Sequence, residues 1–133
     1  MINYKVNAKV DLIDEMINPI ISSLEENKAD HKTLYQMNLV LEELLVNVAN
    51  YAYAPNEGDV EICYEIKNKE LEVVIIDKGK PFNPLEHSDP DLKAPVEDRK
   101  IGGLGIYLVK NLVDDIQYQR VENKNILKIN KKF

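Results

Sequence analysis

Ile2, Tyr4, Val6 and Ala8 alternate with Asn3, Lys5 and Asn7, the two-residue period of a strand with one buried face. From Leu12 the rhythm changes. Leu12, Ile13, Met16, Ile17, Ile20, Ile21 and Leu24 recur at intervals of three and four, predicting an amphipathic helix that Pro19 interrupts by removing an amide donor. Asp30 is placed to cap a second helix, whose core stripe is Leu34, Met37, Leu41, Leu44, Leu45 and Val48. Pro55-Asn56-Glu57-Gly58 ends it, and Val60, Ile62, Tyr64 and Ile66 then alternate with Asp59, Glu61 and Glu65 as a strand. Asn68-Lys69 predicts a hairpin turn into Leu71 to Ile76, apolar on both faces except Glu72, hence a central strand ending at Asp77. Pro81 to Ile101 carries four prolines and many charges and predicts a long functional loop, a lid. Gly103 to Ile116 predicts a last helix with the stripe Leu104, Tyr107, Leu108, Val109, Leu112 and Val113. Two strands follow, Gln117 to Val121 and Asn125 to Asn130, around the turn Glu122-Asn123-Lys124. The pattern predicts an α+β fold, a two-layer sandwich with a mixed, mostly antiparallel sheet and helices on one face.

With 133 residues and 44% apolar content, residues 1–133 read as one domain, able to bury about two-thirds of the unfolded chain's surface. The lone Cys63 cannot form an internal disulfide, and its alternating context predicts a packed or half-exposed thiol rather than a ligand. The N-terminus lacks an apolar signal core and no apolar run approaches a membrane span, so a cytoplasmic protein with no membrane partner is expected. A net charge of −6 argues against a nucleic-acid surface.

Three motifs carry chemistry. Glu43, Asn47 and Asn50 stand at i, i+4 and i+7 on the second helix, which predicts one polar face turned from the leucine stripe. A carboxamide oxygen such as that of Asn47 can complete the shell of a Mg²⁺ that shares nucleotide phosphates, and Glu43, one turn earlier, can act as a general base. Asp77 closes a buried strand and precedes Gly79, which lets the backbone pass close to a flat ligand; its carboxylate accepts from an adenine amino group and repels the guanine carbonyl. Gly102, Gly103, Leu104 and Gly105 open a helix whose free amides favour phosphate, with Arg99 and Lys100 just before them to add charge. Taken singly, the first motif reads more readily as a solvated helix face and the second as a strand-ending turn, and the third reads as readily as a close packing contact.

In this order the motifs resemble the Bergerat-type ATP-binding fold of histidine kinases, type II topoisomerases, mismatch-repair ATPases and heat-shock chaperone ATPases. Within it, the chain most resembles the small bacterial anti-sigma-factor serine kinases, from the strand at Ile2 to the strand ending near Asn130. Glu43 through Tyr53 matches the N-box, Asp77 and Gly79-Lys80-Pro81-Phe82-Asn83-Pro84 the adenine motif, and Gly103-Leu104-Gly105-Ile106 the glycine box. The resemblance implies that Asn47 coordinates Mg²⁺, Glu43 is the catalytic base and Asp77 binds adenine. Asn50, Gly79, Phe82, Arg99, Lys100, Gly102, Gly103, Leu104 and Gly105 complete the implied ATP site. It further implies a homodimer that phosphorylates a serine on a small antagonist protein and binds an RNA polymerase sigma factor, so that partner exchange switches transcription.

Two departures stand out. Asn50 is neutral where relatives often carry a basic residue, and the lid is mixed in charge, with Glu86, Asp89, Asp91, Glu97 and Asp98. The first leaves room for a second reading, an ATP-regulated protein-binding module with little kinase activity. A sensor histidine kinase needs a phosphoaccepting histidine on a helix pair; His31 and His87 read instead as solvated residues.

Overall fold

The alternating N-terminal stretch forms β1 (Ile2–Asn7) at one edge of a five-stranded sheet. A computed structural model describes residues 1–86 and 103–133. After β1 come α1 (Ile13–Glu26), α2 (His31–Asn47), β2 (Asp59–Lys67), β3 (Glu70–Asp77), α3 (Gly103–Leu112), β4 (Asp115–Val121) and β5 (Lys124–Lys132). The strand order is β1-β2-β3-β5-β4, and every neighbouring pair is antiparallel, so the sheet is antiparallel throughout rather than mixed. Two tight turns make this possible. Asn68 and Lys69 (φ 53° and 58°) join β2 to β3, and Glu122 and Asn123 (φ 50° and 65°) join β4 to β5. Two consecutive positive φ values match the right-handed twist of the flanking strands, which is why two residues suffice; Lys124 therefore belongs to β5, not to the turn.

The register puts Tyr4, Ile62, Ile75 and Leu127 in one row across the sheet, on the face that meets the helices. Against that face α1 contributes Met16, Ile17, Ile20 and Leu24, and α2 contributes Met37, Val40, Leu41, Leu44 and Leu45, all buried. β3 is the central strand, with Leu71, Val73, Ile75 and Asp77 buried on its helix side. Cys63 packs buried, and burial together with the Glu61 charge pushes its thiol pKa up. Among the described residues, no helix is long and apolar enough to cross a membrane.

Three local expectations change. α1 runs unbroken through Pro19, because buried residues on both sides of it share one face. The backbone there is also tied to the sheet, with the Pro19 carbonyl accepting from the Tyr64 hydroxyl at 3.2 Å and the Met16 carbonyl accepting from Tyr4. A proline costs about 3 kcal/mol in a helix interior, less than burying Met16 and Ile20 returns. α3 ends at Leu112, not Ile116, since the Asp114 amide donates to the Asn130 carbonyl and the Asp114 carboxylate accepts from the Lys132 amide, drawing the chain into β4. Its buried side is Ile106 and Val109, whereas Leu108 is exposed. Of the Pro81–Ile101 loop, residues 81–86 are described and contain one 3₁₀ turn, Pro84–Glu86; the rest, with His87, Asp89, Asp91, Glu97 and Asp98, lies outside the described residues.

Asp30 caps α2 as its sequence predicts, accepting from the Thr33 amide at 2.8 Å; hydrogen bonding to the Thr33 side chain and then to this amide lowers its carboxyl pKa. Because Asp30 ionises more readily in the folded chain, its contribution is complete above the ordinary carboxylate range and is lost as pH falls through the lowered folded-state value. Urea denaturation of Asp30→Ala is therefore expected to show a deficit against the parent at neutral pH that closes in acid. Leu41→Ala, by contrast, is expected to lose about 2–5 kcal/mol at all pH values, since it opens a cavity between α2 and the sheet.

Candidate functional site

Where β3 runs out, the chain must satisfy a buried carboxylate, and Asp77 is only 6% exposed. Its Oδ1 accepts from the Gly79 amide at 2.9 Å and from the Asn125 carboxamide nitrogen at 2.9 Å, across the β3–β5 register in which Asp77 faces Asn125. The neighbouring turn is pinned to the end of α2. The Lys80 amide donates to the Ala52 carbonyl at 2.9 Å, and a Cβ added at Gly79 would overlap that same carbonyl. From below, the Tyr53 hydroxyl accepts from the Lys78 amide at 2.7 Å and donates to the Asp59 carbonyl at 2.6 Å. Burial, then the Asp77 and Asp59 charges, raise the Tyr53 pKa against the lowering effect of the Lys78 amide, keeping the hydroxyl a donor. Arg120 closes the turn by donating to the Gly79 carbonyl at 2.8 Å.

Asp77 opens into a cavity of about 310 Å³, within the size range of small-molecule sites. Its walls are mainly apolar, with Leu44, Val48, Ala52, Ile75, Ile106 and Leu127, while Asn47, Asp77, Tyr118 and Asn125 supply the polar groups. Phe82 and Lys80 stand at its rim. A mainly apolar cavity with a carboxylate acceptor in its wall suits an aromatic ring that carries an amino group.

Asn47 from α2 and Asp77 from β3 thus line one cavity, with Phe82. Glu43 lies beside it, in a small adjoining cleft of about 60 Å³ shared with Gly105. A Cβ at Gly105 would overlap the Glu43 carboxylate, so the first motif rests directly on the opening of α3. Leu44 and Ile106, the next residues along, line the larger cavity and make the two spaces neighbours. α3 begins at Gly103, where the glycine run predicts it; the side chain of Leu104 and the residues Arg99, Lys100 and Gly102 lie outside the described residues.

Asn50 goes elsewhere. The regular turns of α2 stop at Asn47, and Val48–Ala52 forms a wider π-type turn that rotates the following residues off the Glu43–Asn47 line. Asn50 is exposed and does not line the cavity. Gly79 lies behind the wall rather than in it. The sequence reading missed Asn125, Tyr118 and Arg120. For Asn125 there was a signal: parity places it on the same side of β5 as Leu127 and Ile129, a buried polar position in an apolar row. Among the described residues, no group of three or more His, Cys, Asp or Glu is arranged to hold a metal. Asn47, the sequence-predicted metal ligand, lines the cavity.

An antiparallel sheet covered by three helices, with a mainly apolar cavity between the end of α2 and the end of β3, defines a two-layer α+β architecture with a small-molecule site at one end of the sheet. Residues 6–131 match the histidine kinase-like ATPase domain, and the chain belongs to that family. Over 95 residues it is 30% identical to serine-protein kinase RsbW of Bacillus mycoides (strain KBAB4), covering 68% of this chain and 59% of that protein. Against serine-protein kinase RsbW of Bacillus cereus (strain AH187) it is 26% identical over 130 residues, 95% of this chain and 81% of the relative. In the first of these pairings the chain spans about three-fifths of the relative's length. Among solved structures, the RsbU and RsbW domains of a Mycobacterium tuberculosis protein match with a TM-score of 0.67 at 12% identity, over 99% of this chain and 32% of that one. The Acinetobacter baumannii histidine kinase AdeS matches at 0.53 and 19%, over 99% and 68%. At those identities the structural likeness concerns the fold.

The two glycine contacts differ in what a methyl group would strike. Gly79→Ala meets backbone, and is expected to lose about 1–3 kcal/mol in chemical denaturation. Gly105→Ala meets the far end of a flexible glutamate, and is expected to stay within about 1 kcal/mol of the parent while displacing the Glu43 carboxylate.

Proposed function

We propose that residues 1–133 form one ATP-binding domain and that the protein is a serine-protein kinase of the anti-sigma-factor type. The observation that carries this reading is the convergence of Asn47 and Asp77 on one apolar cavity, with Glu43 against Gly105 at its side. Family membership and the names of the RsbW relatives support it.

In this reading the adenine ring of ATP lies in the slot between Val48, Ala52, Ile75 and Ile106, with its amino group donating to Asp77. The phosphates lie toward the first amides of α3, where the helix dipole favours negative charge, with Arg99, Lys100 and Gly102 assigned to the same end. Asn47 holds Mg²⁺, which supplies charge neutralisation on the phosphates. Glu43, one helical turn away, accepts the proton of the attacking serine hydroxyl. Phosphoryl transfer of this kind is mainly positioning, which a small rigid domain can supply. The acceptor is a serine on a small antagonist protein, and a sigma factor is the alternative partner. The reading extends to a cytoplasmic homodimer without nucleic-acid or membrane partners.

A second reading, an ATP-regulated binding module with little kinase activity, draws on Asn50, which is neutral and turned away from the cavity. Transfer of labelled γ-phosphate to the antagonist serine, set beside direct nucleotide titration, separates the two.

The roles divide cleanly in variants. Asn47→Ala is expected to abolish Mg²⁺-dependent ATP binding in calorimetry. Glu43→Ala is expected to keep binding within about threefold and to lose transfer by about a hundredfold or more. Asp77→Asn is expected to narrow the preference for ATP over GTP. Equal damage to both steps from both α2 variants would contradict this division.

A further inference from the structure

Every hydrogen-bonding group on the Asn125 side chain is used, and each bond ties down a different part of the cavity wall. Nδ2 donates to Asp77 Oδ1 at 2.9 Å and to the Lys80 carbonyl at 2.7 Å. Oδ1 accepts from the Tyr118 hydroxyl at 2.6 Å and from the Phe82 amide at 3.3 Å. The amide has one workable orientation. Two acceptors stand on one side and a backbone donor on the other, so a flipped carboxamide would set its oxygen against a carboxylate and a carbonyl. Asn125 is 6% exposed, and a fully satisfied network at that depth is rigid.

We propose that Asn125 is the positioning residue for base recognition. It holds Asp77 Oδ1, together with the Gly79 amide, so that Oδ2 is the oxygen presented to the 6-amino group of the purine. It also fixes the backbone at Lys80 and Phe82, which forms the rim of the same slot. Tyr118 keys the arrangement by occupying Oδ1. The inference rests on the ATP reading above and adds the residue through which Asp77 discriminates.

The effect must depend on the amino group if this is right. ATP, GTP and purine riboside triphosphate, which is ATP without the 6-amino group, are titrated into the parent, Asn125→Ala and Tyr118→Phe, with folding followed by circular dichroism. For Asn125→Ala, ATP affinity is expected to fall about tenfold, GTP to change little, and purine riboside triphosphate to change by less than about threefold. Tyr118→Phe, which removes one hydroxyl and keeps the ring, is expected to cost about threefold for ATP alone, and it decides the matter if Asn125→Ala does not fold. An equal loss for all three nucleotides in either folded variant, or no loss in Tyr118→Phe, would overturn the positioning role and leave Asn125 a structural brace. A parent that prefers ATP while the variants keep that preference removes Asn125 alone. A parent that binds none of the three removes the ATP reading itself and this inference with it.

Discussion

A carboxylate at the end of a buried strand must be given donors or it cannot stay there, because burying an unpaired charge costs far more than a single side chain contributes to stability. Asp77 sits in that position, and much of the local architecture follows from supplying it. The Gly79 amide reaches Oδ1 only if the chain reverses immediately after β3, and the reversal brings Gly79 and Lys80 against Ala52. The Asn125 carboxamide reaches the same oxygen only if β5 pairs with β3 in the observed register. A one-residue slip would put Ile126 opposite Asp77 and turn the row of Leu127 and Ile129 to the wrong face. The polar pair and the apolar core therefore specify one register together.

The cavity is what remains when these constraints are met. α2 packs its leucines on the sheet up to Leu45, and the wider turn at Val48–Ala52 then lets the chain drop to meet Lys80 without filling the space above Ile75. On the other side, α3 approaches α2 closely because Gly105 has no side chain to hold it off Glu43. Small residues at two crossings, Ala52–Gly79 and Glu43–Gly105, set the height of the slot. The sheet supplies its floor.

Most of the architecture was legible because it rests on local periodicity. The alternation of β1 and β2, the stripe of α2, the Asp30 cap and the Asn68-Lys69 turn all follow from nearest-neighbour chemistry. What failed depended on contacts distant in sequence. Pro19 stays inside α1 because Tyr4 and Tyr64 bond the backbone around it, and Ile116 joins β4 because β5 captures Asp114. Neither partner is visible from the local pattern. The helical phase that aligned Asn50 with Glu43 and Asn47 assumed regular turns, and the π-type turn breaks that assumption. Asp77 and Asn47 could be singled out from their motifs, whereas Asn125 carries no motif. Only the pairing of β3 with β5 gives it a purpose.

The two ends of the site are held by different parts of the fold, and that separation has a mechanical consequence. Asp77 and Asn125 belong to paired central strands, fixed by the register and by Tyr118 from β4. Glu43 and Asn47 belong to α2, whose position depends on packing against α1 and α3. A shift of α3 that left the sheet untouched would move Gly105 against Glu43 while Asp77 and Asn125 stayed where they are. In the kinase reading, then, the polar groups assigned to base recognition, Asp77 and Asn125, are built on the sheet. The groups assigned to metal and proton transfer stand on α2, in the helical layer. In that reading a partner protein that bears on α3 acts on Glu43 through its contact with Gly105 and on the adenine slot through Ile106, while Asp77 and Asn125 stay held by the sheet.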